Sequence, residues 1–388
     1  MSDLPQTMRS LAALQHCTPA GFEVAEVPLP TITNPTEVII RVHAGAIMKG
    51  DCQRAVGSRI IASRKETLVL MYPRRVVINI DWHFSRFPVK LGCEGAGIVV
   101  AIGSEVNRFK VGDAVYGHGV VRPAFSNPDP GFCSEYAITQ ERLLLPKPPQ
   151  ISFEEAAALS GYTVTAYQTM KRGLELAGWE SLEGKTVYVP AALSGGGFSG
   201  IQVAKNIFGA AKIISTASTP KLKLVEEYLP RMVDQLIDYK TTNLTDAVPK
   251  GSVDFMFNTQ WDSMSPAIPL LNPKTGVIMS IASIPPSPLV REIMGPGMVP
   301  LWLAWMLDLV QWWYAFKFRG TNIQHEFVSG NPEIREDLER AGEMIATGKV
   351  KAVFRTVELS DIESIREECV KVDTGRGGLG RLLIKVKD

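Results

Sequence analysis

The sequence is poor in the features that mark secreted, nucleic-acid-binding or membrane-spanning proteins. Its 388 residues hold five scattered cysteines (Cys17, Cys52, Cys93, Cys133 and Cys369) and no CxxC pair, so neither a disulfide framework nor a cysteine-built zinc ribbon is indicated. Neither sign of charge is in excess: Lys+Arg number 41 against Asp+Glu 40. That removes the main electrostatic argument for a nucleic-acid partner. The opening MSDLPQTMRS has no apolar signal core, and a reducing, cytoplasmic setting is expected. No repeat of solenoid length is present. At this length two domains are expected rather than one core.

One segment approaches a long apolar run. Ile293–Phe318 carries four tryptophans and a single acid, Asp308. Its charge-free part falls short of the roughly 18–20 residues a spanning helix needs. A helix from about Leu301 would be apolar nearly all round, and such helices are normally buried. It is expected to pack in a domain or subunit interface, with a weak membrane contact or a substrate-pocket wall as alternatives.

The first 150 residues read as β: EVIIRVHAGAI, GAGIVVAIG, DAVYGHGVV and SEYAITQ are separated by Gly, Asp, Asn or Pro turns. A helix signal follows at Ser152, with Glu155 three residues on. From Thr186 strands alternate with helices, which implies parallel βαβ units in an open, doubly wound sheet. The β-rich style returns over about the last 60 residues, which the first domain is expected to recruit.

Within that alternation, Thr186–Lys205 reads TVYVPAALSGGGFSGIQVAK. Gly195-Gly196-Gly197-Phe198-Ser199-Gly200 satisfies G-x-G-x-x-G between a strand and a helix. Bare backbone there lets a diphosphate meet free N–H groups at a helix start. The alternative is a glycine turn for tight helix–strand packing. After the next strand, Ser215–Lys223 (STASTPKLK) offers hydroxyls and lysines but no acid before Glu226. NAD sites place an acid there, so NADPH is the expected cofactor.

These residues resemble the medium-chain dehydrogenase/reductases, in the zinc-free quinone-oxidoreductase and enoyl-reductase branch. The resemblance is carried by FPVKLGCEGAGIVVAIGSEVNRFKVGDAVYG (Phe87–Gly117), EEAAALSGYTVTAYQTM (Glu154–Met170), the glycine loop and the terminal GRLLIKV. It implies an α/β protein: a GroES-like β-barrel domain (1–163 and 324–388) and a Rossmann NADPH-binding domain (164–323), as a homodimer. Ser194 replaces a loop glycine; Gly195, Gly196, Gly197 and Phe198 would face the diphosphate. Ser218, Lys221 and Tyr239 match positions that hold the 2′-phosphate and adenosine ribose. Thr165, Ile281 and Ala282 match positions beside the nicotinamide, and Lys49 lies in the loop that meets the reactive end. The three catalytic-zinc positions read Met48, Cys93 and Gly161, and one soft ligand cannot hold a catalytic zinc, so no metal is expected. The implied activity is hydride delivery to a double bond conjugated to a carbonyl, in a small molecule or an acyl thioester. A trans-acting enoyl reductase serving a polyketide synthase and a noncatalytic NADPH-binding protein are the alternatives. The stretch near Lys65–Arg86 makes the chain about 20 residues longer than the resemblance implies, as a functional lid, a disordered loop or a misassigned coding segment.

Overall fold

The structure, a computed structural model, describes residues 4–56, 59–60, 78–79, 87–123, 131–295, 297–376 and 378–387. The extra stretch at 65–86 therefore lies outside the described residues except for 78–79.

Near-continuous apolar strands need cover on both faces, and Thr186–Val189, Lys212–Ala217, Phe255–Asn258 and Val277–Ser280 are buried almost throughout. They join Gln235–Asp238 and Gln324–Phe327 in one sheet whose pairings are all parallel. Numbered within the sheet, the spatial order is 3-2-1-4-5-6, the order of a dinucleotide fold. Winding reverses between Thr186–Val189 and Phe255–Asn258, so the ligand crevice belongs at their carboxyl ends. Gln324–Phe327, placed by the sequence in the first domain, is the sixth strand of this sheet. The boundary expected at 323 falls too early because a short, half-exposed strand carries no periodic signal of which sheet it joins.

The antiparallel sheet centres on Glu37–Ile47, whose neighbours are Glu94–Ile102 and, along its first half, Tyr136–Gln140. Its second half is taken by Arg381–Lys385, with Leu382 opposite Ile47 and Leu383 opposite Ala46. Phe354–Glu358 adds to that strand. The C-terminus thus closes the first domain, as the return of β-rich sequence implies.

A helix of 25 residues, Phe153–Ala177, joins the two sheets and packs on both. Its start is the capping box read from the sequence: Ser152 Oγ accepts from Glu155 N–H, and the Glu155 carboxylate accepts from Ser152 N–H. Gly173 lies inside it because a Cβ there would stand 2.4 Å from Phe255 Cε2. Ser152→Ala is expected to lower the unfolding free energy by about 1 kcal/mol, measured from the urea midpoint.

The tryptophan-rich segment is the helix Leu301–Lys317. Leu303, Ala304 and Tyr314 are buried, whereas Trp302, Trp305, Leu309, Trp312 and Phe316 are exposed. Burial all round does not occur: the inner face alone is enough to seat the helix. Among the described residues no helix is long and apolar enough to cross a membrane.

Candidate functional site

The crevice predicted by the topology is assembled from three strand ends. Asn258, fully buried at the end of its strand, donates from Nδ2 to Ser280 Oγ (2.9 Å) and to the Ala282 carbonyl (3.1 Å). Its Oδ1 accepts from Ser263 Oγ, and Thr259 Oγ1 donates to the Pro190 carbonyl. These bonds fix the shape of the Ser280–Ala282 turn against the start of the glycine loop. Sequence reasoning passed over Asn258, although an Asn closing an apolar strand is a signal that its amide has work to do in a buried turn.

The helix after the glycine loop begins at Gly195, so all three glycines lie in its first turn. Ser194 is its N-cap, with Oγ accepting from Gly197 N–H at 3.0 Å. Ser194 N–H donates to the Ala191 carbonyl and Phe198 N–H to the Ser194 carbonyl. Gly196 N–H has no described acceptor, whereas the parallel bridge of Ser194 to Gly380 turns Gly195 N–H toward the Gly380 carbonyl. Two of the glycines serve packing: a Cβ on Gly195 would sit 2.1 Å from Tyr162 Cε2, and one on Gly197 2.2 Å from the Ala191 carbonyl oxygen. Gly200 is likewise pressed by Phe257, at 2.4 Å. Gly196 differs, since its nearest neighbour would be the flexible end of Ile281 at 3.2 Å. Phe198 is buried and part of the core; it anchors the helix rather than facing a ligand.

A cation missed in the sequence lies under this loop. Arg381 opens the last strand, is 3% exposed, and pairs through Nη2 with Glu94, which is fully buried. Its guanidinium lies 4.5 Å from the centroid of Tyr162, the ring packed on Gly195. Nε and Nη1 have no partner among the described residues. Arg381, Tyr162, Gly195 and Ser199 line a cavity of about 10 Å³, room for one water. Burial lowers the Arg381 pKa to about 10, with Asp51 and Cys93 acting in the opposite direction, so it stays charged at neutral pH. The signal in the sequence was GRLLIKV itself, where an arginine begins an otherwise apolar strand.

The same C-terminal segment lies along the glycine loop. Gly380 bridges Ser194 as a parallel neighbour, and Gly380 N–H donates to the Leu193 carbonyl at 2.9 Å. Lys221 Nζ donates to the Gly378 carbonyl. Burial lowers the Lys221 pKa, with Arg355 adding to the effect. Ser218 is half-buried beside it. Tyr239 is 55% exposed just beyond its strand, so it is not a strand-end core residue. The parallel register also brings Asp238 opposite Ala217, where its carboxylate accepts from Thr219 Oγ1 (2.6 Å) and Lys240 N–H (2.9 Å). The sequence count of acids after Ser215 did not reach this residue.

At the other end, Lys49 is exposed on the first turn of the helix Lys49–Val56. Thr165 is half-buried, and its Oγ1 is pressed against the Gly330 backbone, only 2.1 Å from where a Cβ would stand. No described contact joins Lys49 and Thr165. Thr163, two residues earlier, is fully buried with an unpartnered hydroxyl. Around the zinc positions, Asp51 accepts from Met48 N–H, Gly92 N–H and the Cys93 thiol, and Glu94 accepts from Gly161 N–H. His118 faces Ser160 at 2.8 Å, and burial lowers its pKa to about 4. Among the described residues no three His, Cys, Asp or Glu side chains converge as a metal site.

Comparison with known proteins agrees with this architecture. Residues 34–149 match the alcohol dehydrogenase GroES-like domain. The chain is 40% identical over 170 residues to 2-methylene-furan-3-one reductase of Solanum lycopersicum, a match covering 44% of this chain and 41% of that protein. It is 38% identical over 172 residues to an NADPH-dependent alkenal/one oxidoreductase of Arabidopsis thaliana, covering 44% and 42%. The matched stretches thus span about two fifths of these relatives. The structure of the quinone oxidoreductase from Coxiella burnetii superposes with a TM-score of 0.71 at 23% identity, covering 98% of this chain and all of that one (100%). The chain thus carries an alcohol dehydrogenase GroES-like domain together with the strand order of a dinucleotide fold, and over 44% of its length it is similar in sequence to a furanone reductase and an alkenal/one oxidoreductase.

Proposed function

We propose that the protein is an NADPH-dependent, zinc-independent reductase of double bonds conjugated to a carbonyl, in enones or quinones. The observation that carries this reading is the helix start after the glycine loop, at the point where the strand order reverses: Gly196 N–H has no described acceptor there, and the buried Arg381 charge lies beneath Gly195. A diphosphate on that helix start would meet a backbone donor and feel the buried positive charge through space. When bound, NADPH would supply the hydride for the β-carbon of the acceptor, whose π electrons shift to the carbonyl oxygen while a proton from water completes the product.

The chain's own residues then bind and orient. Ser218 and Lys221 take the 2′-phosphate, Lys221 exchanging the Gly378 carbonyl for it. Asn258 holds the Ser280–Ala282 turn as the wall for the nicotinamide. Lys49, exposed at the start of its helix, is the cation we assign to the acceptor oxygen, whose developing negative charge it would stabilise. Zinc independence rests on the donor set, because Met48, Cys93 and Gly161 cannot supply three ligands and Asp51 already holds the Cys93 thiol. The names of the plant relatives, a furanone reductase and an alkenal/one oxidoreductase, support the enone class.

The test is NADPH consumption over enones, quinones and acyl thioesters. Turnover of enones or quinones is expected. Turnover of thioesters alone would assign a synthase-linked enoyl reductase, and binding without turnover a noncatalytic role. Lys221→Ala is expected to raise the Kd for NADPH about tenfold, roughly 1.4 kcal/mol, and to leave that for NADH within about twofold. Equal loss for both nucleotides would remove Lys221 as the 2′-phosphate contact.

A further inference from the structure

The outer face of the helix Leu301–Lys317 has no place in the redox reading. Its exposed residues Trp302, Trp305, Leu309, Trp312 and Phe316 recur at spacings of three and four, so they form one stripe. Over this span the stripe runs about 21 Å along the helix. The helix cannot roll to hide it, because its inner face is pinned. Tyr314 Oη accepts from Ile284 N–H, Gln311 Nε2 donates to the Ile284 carbonyl, and both Asp308 oxygens accept from Ser287.

We propose that this stripe is a docking surface for an anionic lipid bilayer, on which the helix lies flat. Three features favour lipid over a second copy or another protein. First, tryptophan fills three of the five stripe positions. Helices pack at 8–10 Å, with Leu, Ile or Val at such positions, and three indoles would hold a partner helix off. In a bilayer interface, by contrast, the ring enters the acyl boundary and the indole N–H reaches headgroups. Second, the charges around the stripe are complementary to anionic headgroups. Arg319 is exposed just past its C-terminal end, Lys317 lies in its last turn, and Arg291 is exposed on the preceding helix Ser287–Met294, whose Ser287 bonds Asp308. The nearby acids are already engaged, Asp308 with Ser287 and Glu292 with Arg122. Third, Tyr314 and Gln311 tie the helix to Ile284, two residues past the Ser280–Ala282 turn that walls the crevice. A hydrophobic acceptor dissolved in the membrane would then enter beside the site.

The proposal is tested by co-sedimentation of the full chain with phosphatidylcholine vesicles and with vesicles of phosphatidylcholine and phosphatidylglycerol. Tryptophan emission and sedimentation equilibrium are followed in parallel. Binding to the anionic vesicles is expected to be about tenfold tighter, with a blue shift, and to weaken at high salt. Trp305→Glu with Trp312→Glu is expected to reduce it at least about tenfold, with an unchanged urea midpoint. Arg319→Glu is expected to weaken binding to anionic vesicles alone, by about tenfold. No vesicle binding, or equal binding by the double variant, would overturn the proposal. So would a dimer that the tryptophan variant splits while no vesicles are bound, since a second copy would then cover the face.

Discussion

Arg381→Met is expected to lower the unfolding free energy by about 3–5 kcal/mol, because it strands the Glu94 carboxylate without its cation. Glu94 is fully buried. Its remaining described donor is Gly161 N–H at 2.6 Å, and one amide does not replace a guanidinium as partner to a buried charge. Adding Glu94→Gln keeps an acceptor for Gly161 and removes the charge, so the double variant should recover at least about half of the loss. Urea midpoints of the four proteins form the cycle. The double variant should still bind dinucleotide far more weakly than the parent, since the charge beneath the loop is gone in both. If Arg381→Met binds NADPH as tightly as the parent, Arg381 is a structural cation only and the anion site rests on the backbone alone.

The second large effect separates the glycines of the loop. Gly196→Val is expected to weaken NADPH binding by about 100-fold, roughly 2.7 kcal/mol, with stability changed by less than about 1 kcal/mol. Its side chain would meet only the mobile tip of Ile281 and the Thr259 methyl but would stand in the crevice. Gly197→Val should instead fail as a folding variant, because its Cβ overlaps the Ala191 carbonyl, which has no flexible end to move aside. Gly195→Ala is intermediate, overpacking Tyr162 at a cost of about 1–3 kcal/mol. Calorimetric titration with NADPH, beside the urea midpoints, checks all three. Undiminished affinity in a folded Gly196→Val protein would remove the diphosphate from this loop.

These contrasts mark where sequence reasoning works. The parallel strands, the capping box at Ser152 and the glycine signature are local patterns, and each stands where its residues put it. What the glycines are for is not local: Tyr162, Ala191 and Phe257 arrive from outside the motif and claim three of them. Arg381 and Glu94 meet only through the register of two strands far apart in the chain. Asp238 reaches Thr219 by parallel pairing with Ala217, beyond any fixed spacing. The tryptophan helix misled because a stripe that is apolar on both sides gives no hint of which side the fold uses.

The strand Arg381–Lys385 carries one further consequence. Its bonding partner, Ala44–Ile47, leaves the ribosome well before it and must wait for all of the intervening chain to be made. Until that last strand docks, one flank of Glu37–Ile47 stays an open template, and the turn at Ser194 lacks Gly380 beside it. Biogenesis is therefore the vulnerable stage, when a chaperone guarding that flank would matter most.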